Sequence, residues 1–398
     1  MTTETHWRHL LDLLAPHGAT PAPVPDDAWE GLLALADRLE VQPLLYSRVR
    51  NQEGLTVPPS ALEALRHAYL RTTFANTQIY HHLGVLLSEA RAAGIPVIVL
   101  KGACLAEVVY GDIGLRPMCD VDLMTRLDAL RRGLEVTERL GHASNAQPPD
   151  MARQRALMVE WLPVPLRPAR GHPSLAGAEL EALWARAWPV TIASVDVQML
   201  GPDDQVLHLA AHLSLKHEFW PHGLRGCHDL ALVLDKYRAH LDWDTIRQRA
   251  TSWRMWHGVA LALRLAHDWA GADLPAAALA SVRAATADEG ILEWVEQTMH
   301  EQLPDVSLHS GLPEVIARPG VLAKIGGLAR SLFPSPGHMA SLYGARARSW
   351  LLPLYYLRRI GDVTRRHAGT VWRLLSRDAQ TRDLFRREAA LRTWLDQG

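Results

Sequence analysis

The stretch that most constrains the fold is a short apolar run that ends abruptly in a lysine and a glycine. Residues 96–100 read PVIVL, and Lys101-Gly102 follows directly. A short, apolar run of this kind is typical of a strand buried on both faces. Residues 103–110 have helical character, so a glycine at the helix start lets backbone amides approach an anion, helped by the helix dipole. The pattern predicts a strand, a phosphate-binding turn and a helix.

Two carboxylates interrupt the next apolar segment. The residues from Asp120 to Met124 read DVDLM. Strand alternation puts Asp120 and Asp122 on one face, about 6 to 7 Å apart. Like charges this close favour a cation between them, and hard oxygen ligands beside a phosphate site favour magnesium. A solvated strand end or turn is the alternative interpretation of this triplet.

Four short motifs in this region resemble those of a known family. They are Leu100-Lys101-Gly102, Tyr110-Gly111-Asp112, Arg116-Pro117-Met118 and Asp120-Val121-Asp122-Leu123. Together they look like the pattern of a family of bacterial nucleotidyltransferase-fold proteins, many of them uncharacterised, whose fold is similar to that of DNA polymerase β. The close match covers residues 95–126, and a looser likeness continues to Asp235.

The resemblance implies an α+β protein with a small mixed-sheet nucleotidyltransferase core, helical N-terminal and C-terminal regions, and mostly α structure overall. It implies Mg²⁺ bound by Asp120 and Asp122. It also implies nucleotide phosphates bound by Lys101, by the backbone at Gly102 and by Arg116.

The chain departs from the pattern of the broader superfamily next to the glycine. Ala103 stands where a serine is usual, so a hydroxyl contact to phosphate is missing, and Cys119 is unexpected directly before the first aspartate. Two of the assigned cations also have structural interpretations. Lys101 would extend out of the strand end into water, and Arg116 would form an ion pair with Asp120 or Asp122.

A third carboxylate from a later strand usually joins the aspartate pair in this fold, and Glu160 is the candidate for catalysis and for metal binding. Residues 156–162 read ALMVEWL, an alternation typical of a strand, with Glu160 as its carboxylate. Family members often carry an acid shortly before a His-Trp pair, and if Trp161 matches that tryptophan, Met158 falls near the acid's position. A solvent-facing glutamate on an edge strand is the other interpretation.

Composition indicates an ordinary globular protein. The chain has 398 residues, of which 48% are hydrophobic and 21% charged, and a formal net charge of -1. This charge predicts no global attraction to nucleic acid. Three cysteines are too few for a disulfide framework, and the first residues show no signal-peptide pattern. We therefore expect a reducing, cytoplasmic setting.

Lysine is rare in this chain. Of 42 basic residues only four are lysines, namely Lys101, Lys216, Lys236 and Lys324. A lysine at the end of a buried strand in such an arginine-rich chain invites a specific explanation. A compact ammonium group that reaches a phosphate is one.

The pattern divides the chain into four regions. They are an N-terminal helical region at 1–93, a nucleotidyltransferase-like core at 94–200, a helical domain at 201–330, and a basic helical region at 331–398. Apolar spacing predicts one helix over 59–92, one strand over 190–200, and a helix that starts after Gly201 with Asp203 or Asp204 as its cap. Tyr80, on the first of these helices, is assigned to the helix surface.

The C-terminal region is strongly basic. From Lys324 onward the chain has 14 arginines and lysines against 5 aspartates and glutamates, a formal charge of +9. An anionic partner such as RNA, a membrane surface or an acidic protein would fit this region, and a solvated face is the alternative. Residues 331–338, with two prolines, are interpreted as a linker.

Histidines and cations cluster in residues 208–229. His208 and His212 lie four apart on one helical face, a spacing that can bind zinc, but the glutamate expected after the first histidine is absent, and hydrogen-bonded helical histidines are favoured. The turn that follows carries Lys216, His217 and Arg225. It is interpreted either as a second wall of the nucleotide cleft or as a plain helix connection.

Together these features predict a magnesium-dependent nucleotidyltransferase, which moves a nucleoside monophosphate from an NTP to an acceptor and releases pyrophosphate. The acceptor is unknown, and a small molecule or peptide is favoured over RNA. The alternative is a catalytically inactive nucleotidyltransferase-fold protein that serves as a binding or scaffold module.

Overall fold

The computed structural model describes most of the chain as far as residue 300 and shorter pieces beyond it. The described residues are 2–15, 21–50, 52, 54–144, 157–166, 175, 177–220, 222–300, 339, 353–359, 361 and 379–397. Two compact units are present, the first formed by residues 1–145, 155–301 and 395–398, and the second by 146–154 and 302–394. The first unit holds the sheet and every residue of the candidate site.

Helices make up most of the described structure. In chain order they are α1 (Thr3–Leu14), α2 (Trp29–Arg38), α3 (Gln42–Val49), α4 (Pro59–Ala92), α5 (Lys101–Cys104), α6 (Leu130–Arg139), α7 (Ala178–Ala185), α8 (Pro202–Ala211), α9 (Gly223–Lys236), α10 (Trp243–Ser252), α11 (Trp256–Ala270), α12 (Ala276–Ala285), α13 (Glu289–His300) and α14 (Ala379–Leu395). Two of them continue as π-helical turns, α5 into Leu105–Val109 and α8 into His212–Lys216.

One mixed sheet forms the centre of the first unit. Its strands are β1 (Ile98–Val99), β2 (Val121–Met124), β3 (Ala143–Ser144), β4 (Met158–Leu162), β5 (Trp188–Ile192) and β6 (Val195–Met199). The six strands lie in the order β3-β4-β2-β1-β6-β5. Strand β1 is antiparallel to β2 and parallel to β6, while β4 is parallel to both β2 and β3. This mixed sheet in a mostly helical chain confirms the predicted α+β class.

The longest helix, α4, matches the prediction at both ends. It runs for 34 residues from Pro59 to Ala92, which makes it about 51 Å long. Leu83, Leu86 and Leu87 are fully or almost fully buried on its inner face. The prediction for Tyr80 was wrong, because its side chain is buried and its hydroxyl donates a hydrogen bond to the Ala103 carbonyl at 2.5 Å.

The segment predicted as one strand over 190–200 is a β-hairpin. Strands β5 and β6 pair antiparallel, with Ile192 opposite Val195. The two residues between them, Ala193 and Ser194, have φ of 50° and 64°. Such turns usually contain glycine or asparagine, so no turn signal is present at these two residues. The amide of Ala193 donates to a carboxylate oxygen of Glu107 at 2.9 Å, which holds the turn.

The predicted helix start after Gly201 is correct, but its predicted cap is wrong. Gly201 is the N-cap of α8, and no side chain caps the helix. Asp204 is buried instead between two arginines, accepting hydrogen bonds from Arg186 at 2.8 and 3.0 Å and from Arg249 at 3.0 Å. Its carboxylate therefore joins α8 to α10 and to the segment before β5.

In the second unit, the described residues include most of α14 and residues 353–359. Arg387 forms an ion pair with Asp383 at 2.8 Å on α14, and Arg392 pairs with Glu388 on the same helix. The predicted linker at 331–338 lies outside the described residues. The predicted region boundaries after residues 93, 200 and 330, and the anionic partner, stay predictions. Across the described residues, no helix combines the length and the apolar character needed to cross a membrane.

Candidate functional site

Lys101 stands at the junction of β1 and α5 in a backbone conformation that is rare for its residue type. Its φ is +42°, in the left-handed region that favours glycine. The side chain is 11% exposed, and Nζ lies 3.0 Å from Oδ1 of Asp122, which is 6% exposed. A backbone hydrogen bond of 3.0 Å from Leu100 to the Asp122 carbonyl continues the pairing of β1 with β2. The chain direction thus brings the end of β1 to the start of β2.

A second carboxylate lies beside Asp122 on the next strand. The register of the parallel pair β2–β4 sets Asp122 directly against Glu160, so the two side chains share one face of the sheet. Strand β4 lies between β3 and β2, and the edge-strand interpretation of Glu160 was therefore wrong. Asp120 immediately precedes β2 and is partly buried. The site brings together the sequence-predicted Asp122, Glu160 and Lys101, with Asp120 at its margin.

The pKa values of these carboxyl groups report their mutual proximity. Burial raises the pKa of Asp122 to about 6, with the charges of Asp120 and Glu160 adding to the rise and Lys101 opposing it. Burial also acts to raise the pKa of Glu160, but Lys216, a hydrogen bond from Asp122 and Lys101 outweigh it and lower that pKa. Asp122 is thus the carboxylate that gains most from a further positive charge.

Lys216 is the second lysine at this site. It ends the π-helical turn after α8, and its Nζ lies 3.4 Å from Oε2 of Glu160. Burial lowers the pKa of Lys101; the charge of Lys216 lowers it further, and that of Asp122 opposes both. The two ammonium groups are therefore close enough to repel each other, and each forms an ion pair with a different carboxylate. Sequence reasoning placed Lys216 near the cleft but did not connect it with Glu160, which is distant in sequence.

Arg116 lies against Gly102 and is held by Asp229. Its Nε and Nη2 donate to the two oxygens of Asp229 at 2.8 and 2.7 Å, and the Tyr110 hydroxyl donates to one of these oxygens at 2.8 Å. A Cβ placed on Gly102 would stand 2.8 Å from Nη1 of Arg116. The predicted ion pair of Arg116 with Asp120 or Asp122 is therefore replaced by one with Asp229. The sequence analysis grouped Asp229 with the turn that carries Lys216 and did not pair it with Arg116. Phosphate binding by Arg116 and by the Gly102 backbone stays a prediction.

Helix α4 supports this part of the site from the other side. The buried amide of Asn76 donates to the carbonyls of Ile113 and Arg116 at 2.5 and 2.8 Å. Tyr80 bonds the first turn of α5 through Ala103. The Tyr69 hydroxyl donates to Asp112 at 2.9 Å. No motif marks these three residues, although an asparagine on the apolar face of a helix is the kind of position that invites such a role.

Four histidines form a row beside the two lysines. Centroid distances are 6.2 Å from His208 to His212, 4.5 Å from His212 to the stacked ring of His217, and 5.6 Å from His217 to His222. His208 Nδ1 donates to the Pro165 carbonyl at 2.8 Å, which confirms the prediction of a hydrogen-bonded helical histidine. Burial, and then the charge of Lys101, lower the pKa of His208 to about 3 and that of His212 well below 6.5. Both imidazoles are neutral at neutral pH.

The arrangement has a donor set suited to a hard cation. Carboxylate oxygens are the ligands that Mg²⁺ prefers, and the raised pKa of Asp122 is the signature of carboxylates that a cation would stabilise. Among the residues that the structure describes, no three His, Cys, Asp or Glu side chains are arranged to hold a metal ion. Instead, Lys101 forms an ion pair with Asp122, and Lys216 forms one with Glu160. The residue types fit magnesium, and both ion pairs would have to open for magnesium to bind these carboxylates.

A lysine-glycine turn beside acidic residues on neighbouring strands of a mixed sheet is the arrangement that the sequence predicted for a nucleotidyltransferase fold. A family model described as an uncharacterised nucleotidyltransferase matches residues 25–271, more than half of the chain. The chain belongs to this family, which confirms the predicted resemblance to a nucleotidyltransferase family. No curated protein and no solved structure matches it.

Proposed function

We propose that this protein is a magnesium-dependent nucleotidyltransferase that moves a nucleoside monophosphate from an NTP to an acceptor and releases pyrophosphate. The observation that carries the proposal is the register of β2 and β4, which sets Asp122 against Glu160 with Lys101 at 3.0 Å. Membership of a nucleotidyltransferase family supports it independently. The acceptor is a hydroxyl-bearing compound, with a small molecule or a peptide favoured over RNA.

The reaction divides its tasks among these side chains. Asp120, Asp122 and Glu160 would hold Mg²⁺, which supplies charge neutralisation on the triphosphate and a lower pKa for the attacking hydroxyl. The acceptor hydroxyl gives up its proton to water as its oxygen forms a bond to the α-phosphorus. The bond from the α-phosphorus to the oxygen shared with the β-phosphorus breaks, and pyrophosphate leaves with that oxygen. Lys101, helped by the Gly102 backbone and Arg116, then stabilises the negative charge on the leaving pyrophosphate.

The test is isothermal titration of the protein with each NTP in the presence and absence of magnesium. We expect magnesium-dependent binding of at least one NTP and its loss in the double variant Asp120→Ala, Asp122→Ala. A charge-matched control is Asp235→Ala, Asp244→Ala, since both of these residues are exposed on helices, Asp235 on α9 and Asp244 on α10. This control is expected to bind as the wild type does.

The inactive scaffold is the competing function, and Ala103 favours it because no hydroxyl is present next to Gly102. Absence of binding for every NTP would contradict the transferase proposal and support the scaffold. Binding that persists in the Asp120, Asp122 double variant would instead remove these carboxylates from the nucleotide site.

A further inference from the structure

Half of the lysines of this chain lie at the candidate site. The chain has four lysines, and two of them, Lys101 and Lys216, form ion pairs with neighbouring carboxylates on the same face of the sheet. Arginine supplies nearly all other basic positions, so a lysine at both of these places points to a requirement for a compact ammonium group. Phosphate is the ligand class that such a group binds as a point charge.

The two lysines approach the carboxylates from different elements and with different exposure. Lys101 extends from the end of β1 and is 11% exposed, whereas Lys216 extends from the π-helical turn after α8 and is 52% exposed. Lys216 is therefore on the open side of the carboxylate row. Its contact with Glu160, at 3.4 Å and half in water, contributes little to stability. A structural role does not account for it well.

We propose that Lys216 is a second phosphate-binding residue of this site and contacts the triphosphate of the nucleotide together with Lys101. This inference rests on the proposed function and adds a residue to it. When the carboxylates bind a cation, both ammonium groups lose their present partners. Two released ammonium groups on one side of the carboxylate row match a linear polyanion with several phosphates better than a single phosphate.

The test compares ligands that differ in phosphate number. Wild type, Lys216→Met and Lys216→Arg are titrated with magnesium and the α,β-methylene analogue of the selected NTP, with magnesium tripolyphosphate, and with the corresponding nucleoside monophosphate. Lys236→Met is the control, because Lys236 is an exposed lysine at the end of α9. Thermal unfolding of each variant shows whether its fold is retained.

For Lys216→Met we expect at least about tenfold weaker binding of the triphosphate analogue and of tripolyphosphate, which corresponds to about 1.4 kcal/mol. Binding of the monophosphate is expected to be unchanged. Lys216→Arg is expected to restore only part of the loss, because a guanidinium group keeps the charge but is not a compact ammonium group. The control is expected to match the wild type. A shallower dependence of binding on salt in Lys216→Met would support the same conclusion.

Three outcomes would overturn the inference. If Lys216→Met binds the triphosphate analogue as tightly as the wild type does, Lys216 is not a phosphate ligand, while the proposed function stands. Equal weakening of all ligands together with a lower unfolding temperature would assign Lys216 a structural role through Glu160. Absence of NTP binding by the wild type would overturn the proposed function, and the inference with it.

Discussion

At Gly102 a guanidinium group occupies the space that a side chain would need. Nη1 of Arg116 lies 2.8 Å from the place of the missing Cβ, and the Arg116 side chain is fixed by two hydrogen bonds to Asp229. Real Cβ atoms do not make contacts this short, so any larger residue must displace a buried ion pair. Sequence reasoning correctly singled out Gly102 but predicted a different reason, the close approach of phosphate. The contact with Arg116 depends on the fold and has no local sequence signal.

We expect Gly102→Ala to destabilise the protein by about 1 to 3 kcal/mol, because overpacking against a fixed buried group forces backbone or side-chain shifts. Urea unfolding followed by circular dichroism measures the change. Stability equal to that of the wild type would mean that Arg116 moves without strain.

Gly290→Ala is the matched control for this substitution. Gly290 lies in the first turn of α13, and the nearest group to its missing Cβ is the exposed Asp288 carboxylate at 3.3 Å. The same carboxylate oxygen accepts a hydrogen bond from the Gly290 amide at 3.0 Å, and a shift of a few tenths of an ångström at the surface can keep that bond. We therefore expect alanine to change stability by no more than about 1 kcal/mol.

On the scale of elements, Asp229 joins helix α9 to the segment that carries Arg116. The carboxylate of Asp229 accepts three hydrogen bonds, two from Arg116 and one from Tyr110. Burial opposes the positive charge of Arg116, but Asp229 outweighs it, and the pKa of Arg116 is raised. Removal of either charge would leave the other buried and uncompensated.

We expect Asp229→Asn to lower the free energy of unfolding by about 3 to 5 kcal/mol, because it leaves the Arg116 charge uncompensated. The double variant Arg116→Met, Asp229→Leu is expected to lose much less, since neither charge is then buried. Urea unfolding of both variants checks this expectation. A double variant as unstable as the single one would contradict it.

The control is an arginine-aspartate ion pair on the surface, formed by Asp235 and Arg238 at 3.1 Å. Asp235→Asn is expected to change stability by no more than about 0.5 kcal/mol, because solvent screens such pairs.

Elements and contacts that depend on neighbouring residues in the sequence were predictable, whereas contacts between distant residues were not. The bounds of helix α4 were predicted closely because apolar residues recur at helical spacing along its 34 residues. The β5–β6 hairpin was missed because Ala193 and Ser194 adopt positive φ without the usual turn residues. Lys101 and Asp122 were singled out from strand ends and Glu160 from the family resemblance, whereas the contact of Lys216 with Glu160 spans 56 residues and follows only from the packing of the chain.

For the whole molecule, two fully buried histidines couple stability to pH. Burial lowers the pKa of His208 to about 3 and that of His228 to about 4, with nearby positive charges adding to both effects. Both pKa values lie below 6.5, the ordinary pKa of histidine in an unfolded chain. The unfolded state therefore binds more protons as the pH falls below 6.5, and the native state loses stability until the pH reaches the folded pKa.

We expect each of these histidines to remove about 2 kcal/mol of stability between about pH 7.5 and pH 5, from the separation of its folded and unfolded pKa values. Urea unfolding at both pH values measures the loss of stability for the wild type and for His228→Leu. The loss in His228→Leu is expected to be smaller by about 2 kcal/mol, the contribution of one histidine. His81→Gln is the control, since His81 is exposed on α4. An unchanged pH dependence in His228→Leu would show that His228 is not buried as a neutral group.

The contacts of helix α4 show which part of the chain has to be kept together. Asn76 and Tyr80 donate hydrogen bonds to the backbone at Arg116 and Ala103, near the Lys101-Gly102 turn, although they precede the first motif of the family. The family match begins at residue 25, well before the strand that leads to Lys101, and covers these helices together with the sheet. A fragment that began at Gly94 would keep every recognisable motif and lose the framework that gives those motifs their shape.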